Sequence, residues 1–200
     1  MTILNKKDLE FIGDVVDKGN PKEELNFATF DCANNVVYAT DTKRLLKFYC
    51  DLKNLGNVIA PKILAHKETL KMVCKISKGK KNTIALESGF AIVGKTKVNL
   101  QNFTDEAKVQ NYKNIGTKSG ANSFQCEPEK ITFEVFKRGV LFNDYYLNAL
   151  IKHSSGAGLK YNVYIFSQKE PLIIEALNED NEIVFDYVIM PIIDSRGEEK

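Results

Sequence analysis

The chain has 200 residues, 44% of them hydrophobic and 10% aromatic, enough apolar material for the core of one large or two small domains. A formal net charge of +2 excludes a polycation, so any contact with nucleic acid has to come from lysines gathered locally. Cys32, Cys50, Cys74 and Cys126 stand far apart, with no CxxC pair and only His66 and His153 beside them, which argues against a zinc cage or a disulfide framework and for a reduced protein. The first residues, MTILNKKDLEF, carry charges where a signal peptide is apolar, and no apolar run reaches the ~18 residues of a membrane-spanning helix. The expectation is a soluble, cytoplasmic protein with no membrane partner.

In chain order, the short strand MTIL leads to Asn5 as a helix N-cap, Asp8 in the first turn, and a helix with Leu9, Ile12 and Val16 on one face before Gly19. The strands NFATFDC and VVYAT follow around Asn34-Asn35. VVYAT then breaks into the polar waist Thr40-Asp41-Thr42-Lys43-Arg44 before LLKFYC resumes, the pattern of two strands joined by a tight polar turn that has no glycine or proline. A second unit opens with strand NVIAP, a helix from about Pro61 to Ser77, then NTIALE, Ser88-Gly89 and FAIVGKTKVNL. NFTDEAKVQNYKNIGTKSGANSFQCEPEK, rich in Gly, Asn and Lys, reads as a polar boundary between a domain at 1–115 and one at 116–200. A third unit follows: strand KITFEVF, helix FNDYYLNALIKH, then KYNVYIF, PLIIEAL and EIVFDYVIMPII, the last two turning at Glu179-Asp180-Asn181. Each unit is a strand, a helix and then antiparallel strands, which sets the fold class as α+β.

The helix at 61–77 separates two kinds of residue. Ile63, Leu70, Val73 and Ile76 line one side, while Lys67, Lys71, Lys75 and Lys78 recur along another, extended by Lys80 and Lys81. Such a stripe fits either an ordinary solvated face or a face that contacts the phosphates of duplex DNA without reading bases. Lys152 and His153 fit both a phosphate contact and the preference of cations for a helix C-terminus. Chemistry is not visible: there is no glycine-rich phosphate loop, GxSxG or HExxH, and the histidines have no motif spacing to a cysteine or serine. Asp31 and Asp41, near turns, read as solvated or capping carboxylates. The expectation is a non-enzyme with no cofactor and no metal.

Three stretches carry a family resemblance. VYATDTKRLL resembles the strand motif of the middle domain of bacterial DNA polymerase III sliding clamps, an Ala-Thr-Asp tripeptide followed two residues later by Arg-Leu. NVIAPKILAHKETLKMV is similar to the next segment of that domain, a strand ending in proline before a basic helix, and YVIMPIID resembles the C-terminal strand of the same clamps. On this resemblance residues 1 to about 115 correspond to one clamp domain of two strand-helix units. Residues from about 128 to 194 correspond to the second half of the last domain. The clamp's first domain and the first half of its last domain have no counterpart, and Thr42-Lys43 stands where the motif usually has Gly-His.

The resemblance implies a DNA-clamp-like α+β fold and a processivity factor that encircles duplex DNA. It implies that Thr40, Arg44 and Leu45 meet Val188, Ile189, Met190 and Pro191 in a pocket for linear peptides of polymerases, the clamp loader and other replication or repair proteins. Leu45, Val188, Ile189 and the adaptable Met190 would form an apolar floor, with Thr40 and Arg44 as polar rim contacts. Without the resemblance, YVIMPII reads as a buried last strand stopped by proline. Rings of this family hold twelve strand-helix units, so three per chain implies a homotetramer. A degenerate fourth unit within Asn102–Lys130 would give a trimer, and a monomer would leave a clamp-derived adaptor of phage or mobile-element origin that binds proteins without closing a ring.

Overall fold

The computed structural model describes residues 2–17, 19, 21–53, 55, 62–77, 84–100 and 118–192. The chain divides into two compact units, Met1–Ile115 and Gly116–Lys200.

The first unit opens with β1 (Thr2–Leu4), α1 (Lys6–Val15), β2 (Phe27–Asp31), β3 (Val36–Thr40) and β4 (Arg44–Tyr49). It continues with β5 (Lys62–His66), α2 (Lys67–Ile76), β6 (Ile84–Glu87), β7 (Phe90–Val93) and β8 (Thr96–Asn99). The order strand, helix, three strands therefore occurs twice. Asn5 starts α1 through a capping box, its side chain accepting from Asp8 N–H at 2.9 Å while Asp8 Oδ2 accepts from Asn5 N–H at 3.1 Å. All pairings are antiparallel, and the first strand of each module leaves its own sheet: β1 lies beside β6 of the second module and β5 beside β2 of the first, giving orders β1-β6-β7-β8 and β5-β2-β3-β4. Helices α1 and α2 pack on each other, burying Leu9, Ile12 and Val15 of one and Leu70, Val73 and Cys74 of the other. A Cβ placed on Gly13 would sit 3.7 Å from Leu70 Cβ, so the small residue brings the two helices close.

Two expectations for this unit need correction. The helix begins at Lys67, not near Pro61, because Ile63, Leu64 and Ala65 are a continuous apolar run buried as the middle of β5. His66 then acts as the N-cap, its Nδ1 accepting from Glu68 N–H at 3.2 Å. The expected strand NVIAP lies outside the described residues. FAIVGKTKVNL is two strands, β7 and β8, turning at Gly94, whose φ of 58° suits glycine.

The second unit contains β9 (Asn122–Cys126), α3 (Pro128–Lys137), α4 (Asp144–Ser154), β10 (Lys160–Ile165), β11 (Leu172–Leu177) and β12 (Ile183–Ile189). KITFEVF is helical, not a strand. Its Ile131-Phe133-Val135 alternation mimics a strand, but Pro128 at N1 opens a helix, and Pro128, Ile131 and Val135 are its buried side while Phe133 and Phe136 are each 65% exposed. The polar stretch read as a boundary holds β9, which pairs with β10 from Cys126↔Tyr161 to Asn122↔Ile165. The sheet order is β12-β11-β10-β9, all antiparallel, with Tyr161, Ile174, Phe185 and Tyr187 fully buried. Asn143 caps α4 by accepting from Tyr145 N–H at 3.0 Å.

Candidate functional site

The polar waist is the turn of the β3–β4 hairpin, in register from Val36↔Tyr49 to Thr40↔Leu45. Thr42 sits at φ 75°, a left-handed conformation that costs a β-branched residue about 1–3 kcal/mol. Its neighbours hold it there. Thr40 Oγ1 donates to Arg44 O at 2.7 Å and accepts from Thr42 N–H at 3.1 Å. Asp41 Oδ1 accepts from the N–H groups of Lys43 and Arg44, each at 3.0 Å, while its Oδ2 accepts from Arg44 Nε at 2.8 Å. At roughly 1 kcal/mol for each neutral bond to Thr40 and more for each bond to the Asp41 carboxylate, this network outweighs the strain, which is how the turn dispenses with glycine.

Arg44 has a second task. Its guanidinium also donates to Asp14 O in the last turn of α1, and the residue is only 4% exposed. Lys67 does the same just beyond, its Nζ donating to Val16 O at the C-cap of α1. Helix α1 carries no basic residue in its own last turn, so two cations from elsewhere in the unit satisfy its terminal carbonyls and its negative dipole end. Burial, and then the charge of Lys71, hold the Lys67 ammonium below its ordinary value. Lys71 pairs with Glu68 at 3.1 Å on the exposed face of α2, and Lys75 is exposed in the last turn. Lys78, Lys80 and Lys81 lie outside the described residues. In the second unit Lys152 is exposed in the last turn of α4. Its neighbour His153 is buried edge-on to Phe185, with ring centroids 5.6 Å apart.

Of the apolar candidates, Leu45 is buried within β4, and Val188 and Ile189 are buried at the end of β12, where they pair with Ile173 and Leu172. Met190 lies just past the strand at 44% exposure and Pro191 is partly exposed. Ile192 N–H then donates to Leu141 O at 2.8 Å, bringing exposed Ile192 and Leu141 together near the chain's last described residues. Leu141 was not singled out in the sequence. No local signal marks it, because its partner Ile192 lies far along the chain, beyond β12. Among the described residues there is no group of His, Cys, Asp and Glu able to hold a metal ion, and no helix long and apolar enough to cross a membrane.

No protein-family model matches the chain. No curated protein matches it either. Among solved structures it is similar to a protein of Eubacterium rectale assigned as a DNA polymerase III beta subunit, with a TM-score of 0.69, 12% identity, and coverage of 95% of this chain and 64% of that one. It is also similar to the Helicobacter pylori beta clamp bound to a DNA ligase peptide, at TM-score 0.64, 12% identity and coverage of 96% and 65%. The Pseudomonas aeruginosa sliding clamp bound to griselimycin matches at TM-score 0.63, 10% identity and coverage of 96% and 65%. The chain has the fold of the bacterial sliding clamps. It spans somewhat less than two thirds of the length of these first matches.

Proposed function

We propose that the protein is a non-enzymatic, cytoplasmic DNA sliding clamp that assembles into a homo-oligomeric ring around duplex DNA. It tethers a polymerase, the clamp loader or other replication and repair proteins through short peptides. The observation that carries this reading is the match of nearly the whole chain, 95% or 96% of it, to clamps that include one bound to a DNA ligase peptide. The peptide pocket is assigned to Thr40, Arg44, Leu45, Val188, Ile189, Met190 and Pro191, in two domains at 1–115 and 116–200. Met190, exposed and unbranched, is the side chain best suited to meet different peptides. Duplex DNA is assigned to Lys71, Lys75 and Lys152, whose side chains reach solvent, and to Lys67 and Lys78. An unpaired edge in each unit also supports ring closure: among the described residues β8 and β9 each end a sheet, and strand-to-strand joining would remove that liability.

Retention on DNA tests the reading. A topological clamp stays on covalently closed circles through a high-salt wash and slides off the same DNA once it is cut. Equal loss from both leaves a second reading, a clamp-derived adaptor that binds proteins without closing a ring. One observation favours that second reading: among the described residues the second unit holds a single strand-helix module where the first holds two.

A further inference from the structure

A buried charge cluster in the second unit serves neither the proposed peptide contacts nor the proposed DNA contacts. Gln125, Asn162, Glu175 and Asp186 are successive partners across β9, β10, β11 and β12, and so form one row on one face of the sheet. Glu175 and Asp186 are directly opposed and only 6% and 7% exposed, an arrangement of like charges that is unfavourable without a cation between them. Lys118 supplies the cation. Its Nζ donates to Glu175 Oε2, lies 2.8 Å from Asp186 Oδ1, and sits 5.4 Å from the centre of the Tyr164 ring. Glu175 Oε1 accepts from Asn162 Nδ2 at 3.0 Å and from the Tyr164 hydroxyl at 3.1 Å.

The cluster bears on β9 because Lys118 lies a few residues before that strand begins and reaches past β10 to β11 and β12. Little else holds β9. Asn122, Ser123 and Gln125 are exposed, Phe124 and Cys126 are partly buried, and the strand has a neighbour on one side only. Phe124 carries the Arg138 guanidinium 3.9 Å above its ring. In the first unit the equivalent place, beside the first strand after the helix, is filled by a strand from another module, β5 beside β2 and β1 beside β6.

We propose that Lys118 is a charge clamp that holds β9 as a releasable plug along the edge of β10, so that removing the charge from either side frees β9 while β10, β11 and β12 stay paired. Burial opposes the Glu175 carboxylate, but bonds from Lys118, Asn162 and Tyr164 overcome it and hold its pKa below the ordinary value. Its contribution is therefore present above the ordinary glutamate range and lost as pH falls through the lower folded value. Burial also opposes the Lys118 ammonium, but the bonds to Asp186 and Glu175 raise its pKa, so its contribution holds below the ordinary lysine range and disappears only above the raised value. Lys118, Glu175, Asp186 and Tyr164 are the titratable groups at the cluster, and Lys160 shares the β10 face at its exposed end.

Hydrogen exchange on the full chain tests the clamp at neutral pH. In Lys118→Gln the amides of 122–126 should exchange roughly 10-fold faster or more, with β11–β12 amides unchanged, while Lys118→Arg keeps wild-type protection. Unchanged protection of β9, or an equal loss throughout the second unit, overturns the proposal. Should Lys118→Gln fail to fold, Lys118→Gln/Glu175→Gln/Asp186→Asn removes the buried charges together. A labile β9 in that neutral variant supports the clamp, and a protected one overturns it.

Discussion

In residues 1–115 each module lends its first strand to the other, so β1 and β5 close sheets that begin elsewhere in the chain. In residues 116–200 the single module keeps its own first strand, and β9 turns back through α3 and α4 to lie beside β10. The two arrangements fill the same place in the sheet but bind it differently. Leu4 of β1 and Leu64 and Ala65 of β5 are buried, whereas β9 is mostly exposed. Exchange joins the two modules of the first unit into one compact body, and self-closure leaves the second unit with a strand held at its rim. The extra helix α3, which has no counterpart among the described residues of the first unit, lies on the connection from β9 to β10.

The largest expected effect comes from the exchanged strand. Leu4→Ala should cost about 2–5 kcal/mol in urea unfolding of the first unit, because the buried leucine leaves a cavity between modules. Phe124→Ala on β9 should cost nearer to about 1 kcal/mol, from partial burial and the lost Arg138 stack. Equal costs would mean that β9 is held as firmly as the exchanged strand β1.

Arg44→Ala follows, with an expected loss of about 3 kcal/mol, since it strips the turn and leaves the Asp41 carboxylate and the Asp14 carbonyl of α1 without their cation. The same variant tells a structural guanidinium from a peptide contact. If peptide affinity falls only in step with the unfolded fraction, Arg44 positions the hairpin and touches no ligand.

Met190→Asp should leave the unfolding free energy within about 0.5 kcal/mol of wild type, as expected for an exposed residue. Its peptide affinity should fall by most of its value, because a carboxylate would be desolvated against an apolar ligand. Wild-type peptide affinity would move the pocket elsewhere. Smallest in stability is Lys71→Ala/Lys75→Ala, where only the exposed Glu68 pair is lost, worth about 0.5 kcal/mol. Its slope of log affinity for duplex DNA against log salt should flatten by about two counterions, and an unaltered slope would make the stripe a solvated face.

Where local chemistry decides the structure, the sequence was readable. Asn5 and Asp8 announce a helix start, and the polar waist between VVYAT and LLKFY announces a hairpin. Reading failed where pairing partners are distant. KILAH sits between Pro61 and a helical pattern, and only its pairing with β2 makes it a strand. ITFEV alternates like a strand, and Pro128 with the burial of Ile131 and Val135 makes it a helix. ANSFQC is too polar to suggest a strand, and it becomes one because the edge of β10 needs backbone partners and no second module supplies them. The candidate site shows the same division. The motif around Thr40 and Arg44 is visible in the sequence, but the sequence does not show that Arg44 and Lys67 cap α1, since those contacts join residues far apart in the chain.

The measurement that bears most directly on the ring is the mass of the protein in solution by light scattering at micromolar concentration. A closed ring should weigh a discrete multiple of the 22.6 kDa chain, four copies if each contributes three strand-helix modules. A mass of 22.6 kDa at that concentration would contradict a freestanding ring and leave the protein a monomeric clamp-derived adaptor.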